Sequence, residues 1–155
     1  MLCTRIPRPP DFATWHPKVQ AAFDYWTEIQ PGSGLAGRQH IDPARIVPLL
    51  PNVYLLDVLR GARLDYRYRI FGTELVNRVG RDLTGRRLSE IGLPTEIEQV
   101  LARLVEHGGY DWRRGPPINP ALPKYLTLER IALPLARDGS TVDMLFGVSV
   151  FVSAE

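Results

Sequence analysis

Asn52-Val53-Tyr54-Leu55-Leu56-Asp57-Val58-Leu59-Arg60 runs through Gly61-Ala62-Arg63-Leu64 into Asp65-Tyr66-Arg67-Tyr68-Arg69-Ile70-Phe71, and this stretch decides the fold class. Successive side chains of a strand point to opposite faces, so Tyr54, Leu56 and Val58 share one face while Val53, Leu55, Asp57 and Leu59 share the other. The second run places Tyr66, Tyr68 and Ile70 opposite Arg67, Arg69 and Phe71. A short connection opening on glycine suits a hairpin, which predicts an antiparallel pair. Asp57 then lies across from Arg67 and Arg69, where opposite charges form a cross-strand ion pair.

Downstream, Gly72-Thr73 opens a short helical run with Leu75, Val76 and Val79 apolar and Gly80 at its end. Glu96 to His107 carries the clearest helical period of the chain, because Ile97, Val100, Leu101, Leu104 and Val105 fall on one stripe. Thr95 and Glu98 have capping-box spacing at its start, and Gly108-Gly109 supplies a left-handed residue at its end. Tyr110 to Lys124 is proline-rich and holds Trp112, which predicts a short strand running into an irregular loop. Two more strands follow, Tyr125 to Leu135 and Val142 to Phe151, joined near Asp138-Gly139. Val142, Met144, Phe146, Val148 and Val150 all fall on one face of the last. Two strands, a helical middle and three strands make an α+β fold: a five-stranded antiparallel sheet with central helices on one face.

Upstream, Trp15 to Ile29 is an amphipathic helix with Val19, Ala22, Phe23, Trp26 and Ile29 in register and Pro17 suited to its first turn. Its apolar stripe must cover the second face of the sheet or a second subunit. Asp42 is placed to cap a short helix that begins at Pro43 and carries Ile46, Leu49 and Leu50. The chain thus divides into a Pro-rich leader (1–14), an N-terminal helical extension (15–50) and the sheet-bearing core (51–155), one domain overall.

With 155 residues, 45% hydrophobic and 23% charged, the chain has the composition of a globular domain with one core. The charge balance, 19 basic against 17 acidic residues, gives +2 and does not argue for a nucleic-acid partner. Its one cysteine, Cys3, excludes an intramolecular disulfide framework and fits a reducing compartment. The N-terminal stretch lacks the apolar run of a signal peptide and no run approaches the roughly 18 apolar residues of a membrane span, so a cytoplasmic location without a membrane partner is expected.

The element order resembles a PAS domain with an N-terminal helical extension. Arg38-Gln39-His40-Ile41-Asp42-Pro43, Leu50-Pro51-Asn52-Val53-Tyr54-Leu55-Leu56-Asp57-Val58, Tyr66-Arg67-Tyr68-Arg69-Ile70-Phe71-Gly72-Thr73 and Gly80-Arg81-Asp82-Leu83-Thr84-Gly85-Arg86 resemble a bacterial PAS-like family of small, mostly stand-alone proteins. The resemblance covers roughly residues 20 to 152. It implies a sensory or regulatory module that holds a small ligand between sheet and helices or pairs with another protein surface. A fold resemblance supplies a role class and no chemistry.

A photosensing flavin is not expected, because it requires a cysteine near the central helices and the only thiol is Cys3. Haem is not expected either: His107 ends the long helix, where a histidine complements the helix dipole. His16, His40 and His107 are too scattered for a metal motif. The G-x-S-x-G elbow, the P-loop and the dinucleotide fingerprint are all missing, and Glu96 and Glu98 suit a helix N-terminus, so no enzyme is expected. His40 and Asp42 read as a loop histidine beside a cap rather than an acid–base pair. Arg86, Arg87, Arg113 and Arg114 lack an aromatic platform and read as a solvated face rather than an RNA surface, with a weak anion site left open.

The sequence therefore predicts a pocket lined by Tyr54, Leu56, Tyr68, Trp112, Arg130, Met144 and Phe146, for a small, mainly apolar ligand of unidentified chemistry. Tyr66 shares their expected face, and packed core is the competing reading of all these apolar residues. Arg130 shares a strand face with Leu126, Leu128 and Ala132; a buried guanidinium there needs a carboxylate or an anionic ligand, unless the strand lies at an edge. Trp15, Val19, Phe23 and Trp26 are the expected interface for a homodimer or a regulatory partner. The alternatives are a ligand-free interaction module, a small enzyme and an RNA binder.

Overall fold

The computed structural model describes residues 6–117 and 122–152. Cys3, the first five residues of the leader and part of the loop expected after Trp112 lie outside them. Helix α1 (Pro17–Glu28) is followed by short 3-10 turns at Arg38–His40, Pro43–Arg45 and Val47–Asn52, then strands β1 (Val53–Leu59) and β2 (Asp65–Phe71). Helices α2 (Thr73–Val79), α3 (Leu88–Ile91) and α4 (Thr95–His107) come next, and β3 (Asp111–Gly115), β4 (Thr127–Leu135) and β5 (Met144–Val152) close the fold. The five strands form one antiparallel sheet in the order β2-β1-β5-β4-β3, so the last strand is the central one.

The short helix expected after Asp42 is two 3-10 turns instead. Pro48 and Pro51 each remove a backbone donor, which an α-helix cannot spare, while Asp42 still caps by accepting from the Ala44 N–H at 3.0 Å. The capping box at Thr95 does not form. Pro94, extended at φ −59° and ψ 149°, starts α4 one residue early, so Thr95 is already helical and its side chain is not the cap. The strand expected from Tyr125 begins at Thr127, and Tyr125 is 79% exposed.

In the β1–β2 hairpin Leu55 pairs with Ile70 but Leu56 pairs with Tyr68, leaving Arg69 as an extra residue. Because strand side chains alternate with period two, this bulge reverses every residue beyond it. Ile70 turns out to 40% exposure, and Phe71 joins the side of Tyr68, their rings 4.9 Å apart. That corrects the expected grouping of Ile70 with Tyr66 and Tyr68. The predicted ion pair is present: Arg69 Nε lies 3.0 Å from Asp57 Oδ1.

Helix α1 covers the face of the sheet opposite to the central helices. Val19, Ala22, Phe23 and Trp26 are buried against Ile131, Leu133, Phe146 and Val148 in one continuous cluster. Two polar contacts fix the ends of the helix on β4. The His16 backbone N–H donates to buried Glu129 at 2.6 Å, placing a carboxylate at the positive end of the helix, and the Trp26 indole N–H donates to the Pro134 carbonyl at 2.9 Å. Pro134 lies beyond the β3 pairing, which ends at Ala132.

This placement corrects the expected role of four residues. Trp15, Val19, Phe23 and Trp26 are 4%, 0%, 0% and 1% exposed, so they are core of the chain itself and offer no surface to a partner. Phe23→Ala is expected to lower the unfolding free energy by about 3–5 kcal/mol, the usual cost of emptying a buried aromatic site. Tyr125→Ser, on the exposed loop, should stay within about 0.5 kcal/mol of the parent in the same urea titrations.

Candidate ligand-binding cavity

Between the other face of the sheet and α2–α4 lies a cavity of about 130 Å3, open on one side. Its floor comes from alternate residues of the strands: Tyr54 and Leu56 of β1, Tyr68 of β2, Leu128, Arg130 and Ala132 of β4. Its roof comes from the helices, with Leu75 and Val79 from α2, Leu88 from α3, and Ile97, Val100 and Leu101 from α4. The α4 stripe explains the gap. Leu101 and Leu104 reach the sheet and are buried, whereas Ile97 and Val100 remain half-buried at the wall.

Of the expected pocket residues, Tyr54, Leu56, Tyr68 and Arg130 are brought together. Trp112, Met144 and Phe146 are not, because each sits on the α1 side of the sheet. Trp112 stacks on Trp15 at 5.2 Å with their planes 7° apart, and its strand neighbours Asp111 and Arg113 face the cavity in its place. In β5 the most apolar face, Met144-Phe146-Val148-Val150, belongs to the sealed core. The face towards the cavity carries Ser149 and Phe151. Reading the sequence missed Phe71, Asp111, Arg113 and Ser149; the available signal was Gly147 and Ser149, two residues of low hydropathy on one face of an otherwise apolar strand.

Gly147 is required by Tyr54. The two pair directly between β1 and β5, and the tyrosine ring lies over the glycine so closely that a Cβ there would come within 1.9 Å of the ring carbons. The ring meets Tyr68 edge-on, their centroids 6.2 Å apart. A polar group facing an apolar cavity is held in its neutral form. Burial pushes the Tyr54 hydroxyl up to about 12, with the Arg130 charge opposing and Asp111 reinforcing the shift. Burial also raises the Tyr68 hydroxyl, and Tyr54 adds to the effect.

Arg130 lies on β4, flanked by Arg113 on β3 and Ser149 on β5, so it is not an edge residue. Burial pulls its pKa below the ordinary arginine value and Arg113 pulls it further, against the opposing influence of Tyr54 and Asp111. Asp111 is engaged with Arg113, whose Nε is 3.2 Å from its carboxylate. Among the described residues no carboxylate oxygen comes within 4.0 Å of the Arg130 guanidinium.

The remaining candidates have local structural contacts or lie in solvent. His16 accepts from the Lys18 N–H at the start of α1, and His40 accepts from the Gly37 N–H. His107 is 74% exposed beside Glu106, and Glu96 and Glu98 are exposed in the first turn of α4. Among the described residues no three His, Cys, Asp or Glu side chains gather as a metal site, and no helix is long and apolar enough to cross a membrane.

A sheet closed by a central last strand, with α2–α4 and a cavity on one face, agrees with the sequence comparison. The model of the PAS domain family matches residues 14–150. The chain belongs to the PAS domain family. No curated protein matches it. The matched span includes α1, so the helix that seals the far side of this PAS domain lies inside the family pattern. PAS domains as a class are sensory and regulatory modules.

The Tyr54 shift has a measurable sign. An unfolded tyrosine ionises near 10 and the native one near 12, so the contribution of Tyr54 is fully present below pH 10 and is lost as pH rises towards 12. Stability measured across that window should fall less steeply in Tyr54→Phe than in the parent. Gly147→Ala is expected to drive the Tyr54 ring into the cavity, seen as a change in ring-current shifts around Leu56 and Leu101 by NMR.

Proposed function

We propose that this PAS domain is a cytoplasmic sensory module that binds a small, mainly apolar molecule in the cavity between its sheet and α2–α4. The observation carrying this reading is the cavity itself: apolar on most of its wall, with Tyr54, Tyr68 and Arg130 as polar groups among its lining. A few polar groups in an apolar chamber are what orient a small ligand. Its volume of about 130 Å3 is comparable to an engineered protein cavity of roughly 150 Å3 that takes up benzene, which sets the scale of the enclosed part of the ligand.

The module carries no chemistry of its own in this proposal. Its charged wall groups are an ion-paired Asp111–Arg113 and Arg130, an arginine that stays protonated, and burial holds the Tyr54 and Tyr68 hydroxyls neutral. Occupancy would act by shifting a conformational equilibrium, which requires that the ligand prefer one arrangement of α3 and α4. A homodimer or a regulatory protein partner would read that arrangement from the outer surface of these helices, since α1 is committed to the core. Cys3 suits a reducing location such as the cytoplasm.

Native mass spectrometry of protein purified directly from cells tests the proposal against the denatured protein. A stoichiometric mass excess, lost on denaturation and absent from the cavity-filling variant Ala132→Leu, is the expected result. An excess that persists unchanged in Ala132→Leu would place the bound molecule elsewhere. A mass equal to the bare chain, together with no thermal stabilisation by any member of a small-molecule library, would remove the sensor reading.

A further inference from the structure

The polar end of the cavity has a definite sign. Arg130 and Arg113 are directly paired across β4 and β3, so two cations stand on one rung of the sheet facing the same chamber. Like charges placed opposite each other across strands are unfavourable, and among the described residues only one carboxylate, Asp111, lies on the cavity wall with them. It is committed to Arg113 at 3.2 Å. Counted over the described residues, the wall thus holds one positive charge in excess.

The groups around that excess charge can all donate hydrogen bonds. Ser149 is the direct partner of Arg130 on β5 and lines the same cavity, and the Tyr54 hydroxyl remains protonated at any physiological pH. A guanidinium and two hydroxyls offer a planar acceptor group more donors than a neutral apolar molecule uses. Such bonds to a charged acceptor are roughly twice as strong as neutral ones, and the planar fork of arginine matches a carboxylate. The rest of the wall is aliphatic and aromatic, with no second cation left unpaired for a second anionic group among the described residues.

We propose that the ligand is a small monocarboxylate with an apolar, ring-sized body, and that Arg130 receives its carboxylate while the body lies between Tyr54, Tyr68 and the underside of α4. This rests on the reading of the cavity as a ligand site. The arrangement is an unfinished ion pair: the chain supplies the cation in a partly dehydrated position and leaves its anion to be brought from outside. Occupancy and charge neutralisation are therefore the same event.

The experiment measures benzoate against benzamide, and hexanoate against hexanamide, by calorimetry and by amide NMR shifts on the full chain. The parent, Arg130→Met, Arg130→Lys and Ala132→Leu are compared. Each carboxylate is expected to bind the parent at least roughly ten-fold more tightly than its amide, with shifts confined to the cavity-facing residues of the sheet, Tyr54 and Tyr68 included, and to α4. Arg130→Met should erase that preference while melting at a higher temperature than the unliganded parent, because an unpaired cation opposite Arg113 has been removed. Arg130→Lys should retain part of the preference, and Ala132→Leu should lose both members of each pair. Amides binding as well as carboxylates, or an undiminished preference in Arg130→Met, would overturn the monocarboxylate proposal and leave the cavity standing as a neutral-ligand site. No shift in cavity residues from any of the four compounds would overturn both.

Discussion

The burial of Phe23 and Trp26 against Leu133, Phe146 and Val148 is the interaction on which the rest of the structure depends. A sheet has two faces, and a strand residue that is apolar on either face must be covered. Here α1 covers one over β4 and β5, held at both ends by hydrogen bonds to β4 through Glu129 and Pro134. With that face providing a close-packed core, the other face is released from having to supply one. Burying each large apolar side chain contributes roughly 1.5–3 kcal/mol, so a cluster of this size can support a domain in which the second layer is left incompletely filled.

That division accounts for where the polar residues are. Glu129, Arg130 and their neighbours on β4 alternate between the two layers, so one residue is a buried anchor for a helix and the next faces an open chamber. On β5 the same alternation separates Met144, Phe146 and Val148 from Gly147 and Ser149. Gly147 is the most constrained of these, since its missing side chain is the space in which the Tyr54 ring lies. The chamber keeps its tyrosines neutral and leaves its arginine partly dehydrated, with Tyr54 and Asp111 offsetting part of that cost.

Much of this was legible in the residues. The hairpin, the sheet of five antiparallel strands, the long helix ending at His107 and the Asp57–Arg69 pair all follow from period, turn chemistry and charge placement. So did the cavity role of Tyr54, Leu56, Tyr68 and Arg130, since alternation within one strand is a local property. What was not legible depended on relations between strands. Met144 and Phe146 formed the more apolar face of β5 and were expected to join Tyr54, but pairing places Gly147 opposite Tyr54 and turns them towards α1. Trp112 followed the same logic on β3, and Phe71 was turned into the cavity by a bulge at Arg69 that no single-strand pattern announces. The aromatic stripe of α1 was visible, but whether it met a second chain or its own sheet was a question that only the tertiary arrangement answers.

The most direct test of a sheet with one sealed face and one open face is a crystal structure of the protein under xenon pressure. Xenon occupies apolar cavities large enough to hold it and is excluded from close-packed interiors. The account predicts xenon density beside Tyr54, Leu101 and Ala132, between the sheet and α2–α4, and none between the sheet and α1. Xenon beneath α1, or none beside Tyr54 at full pressure, would contradict it.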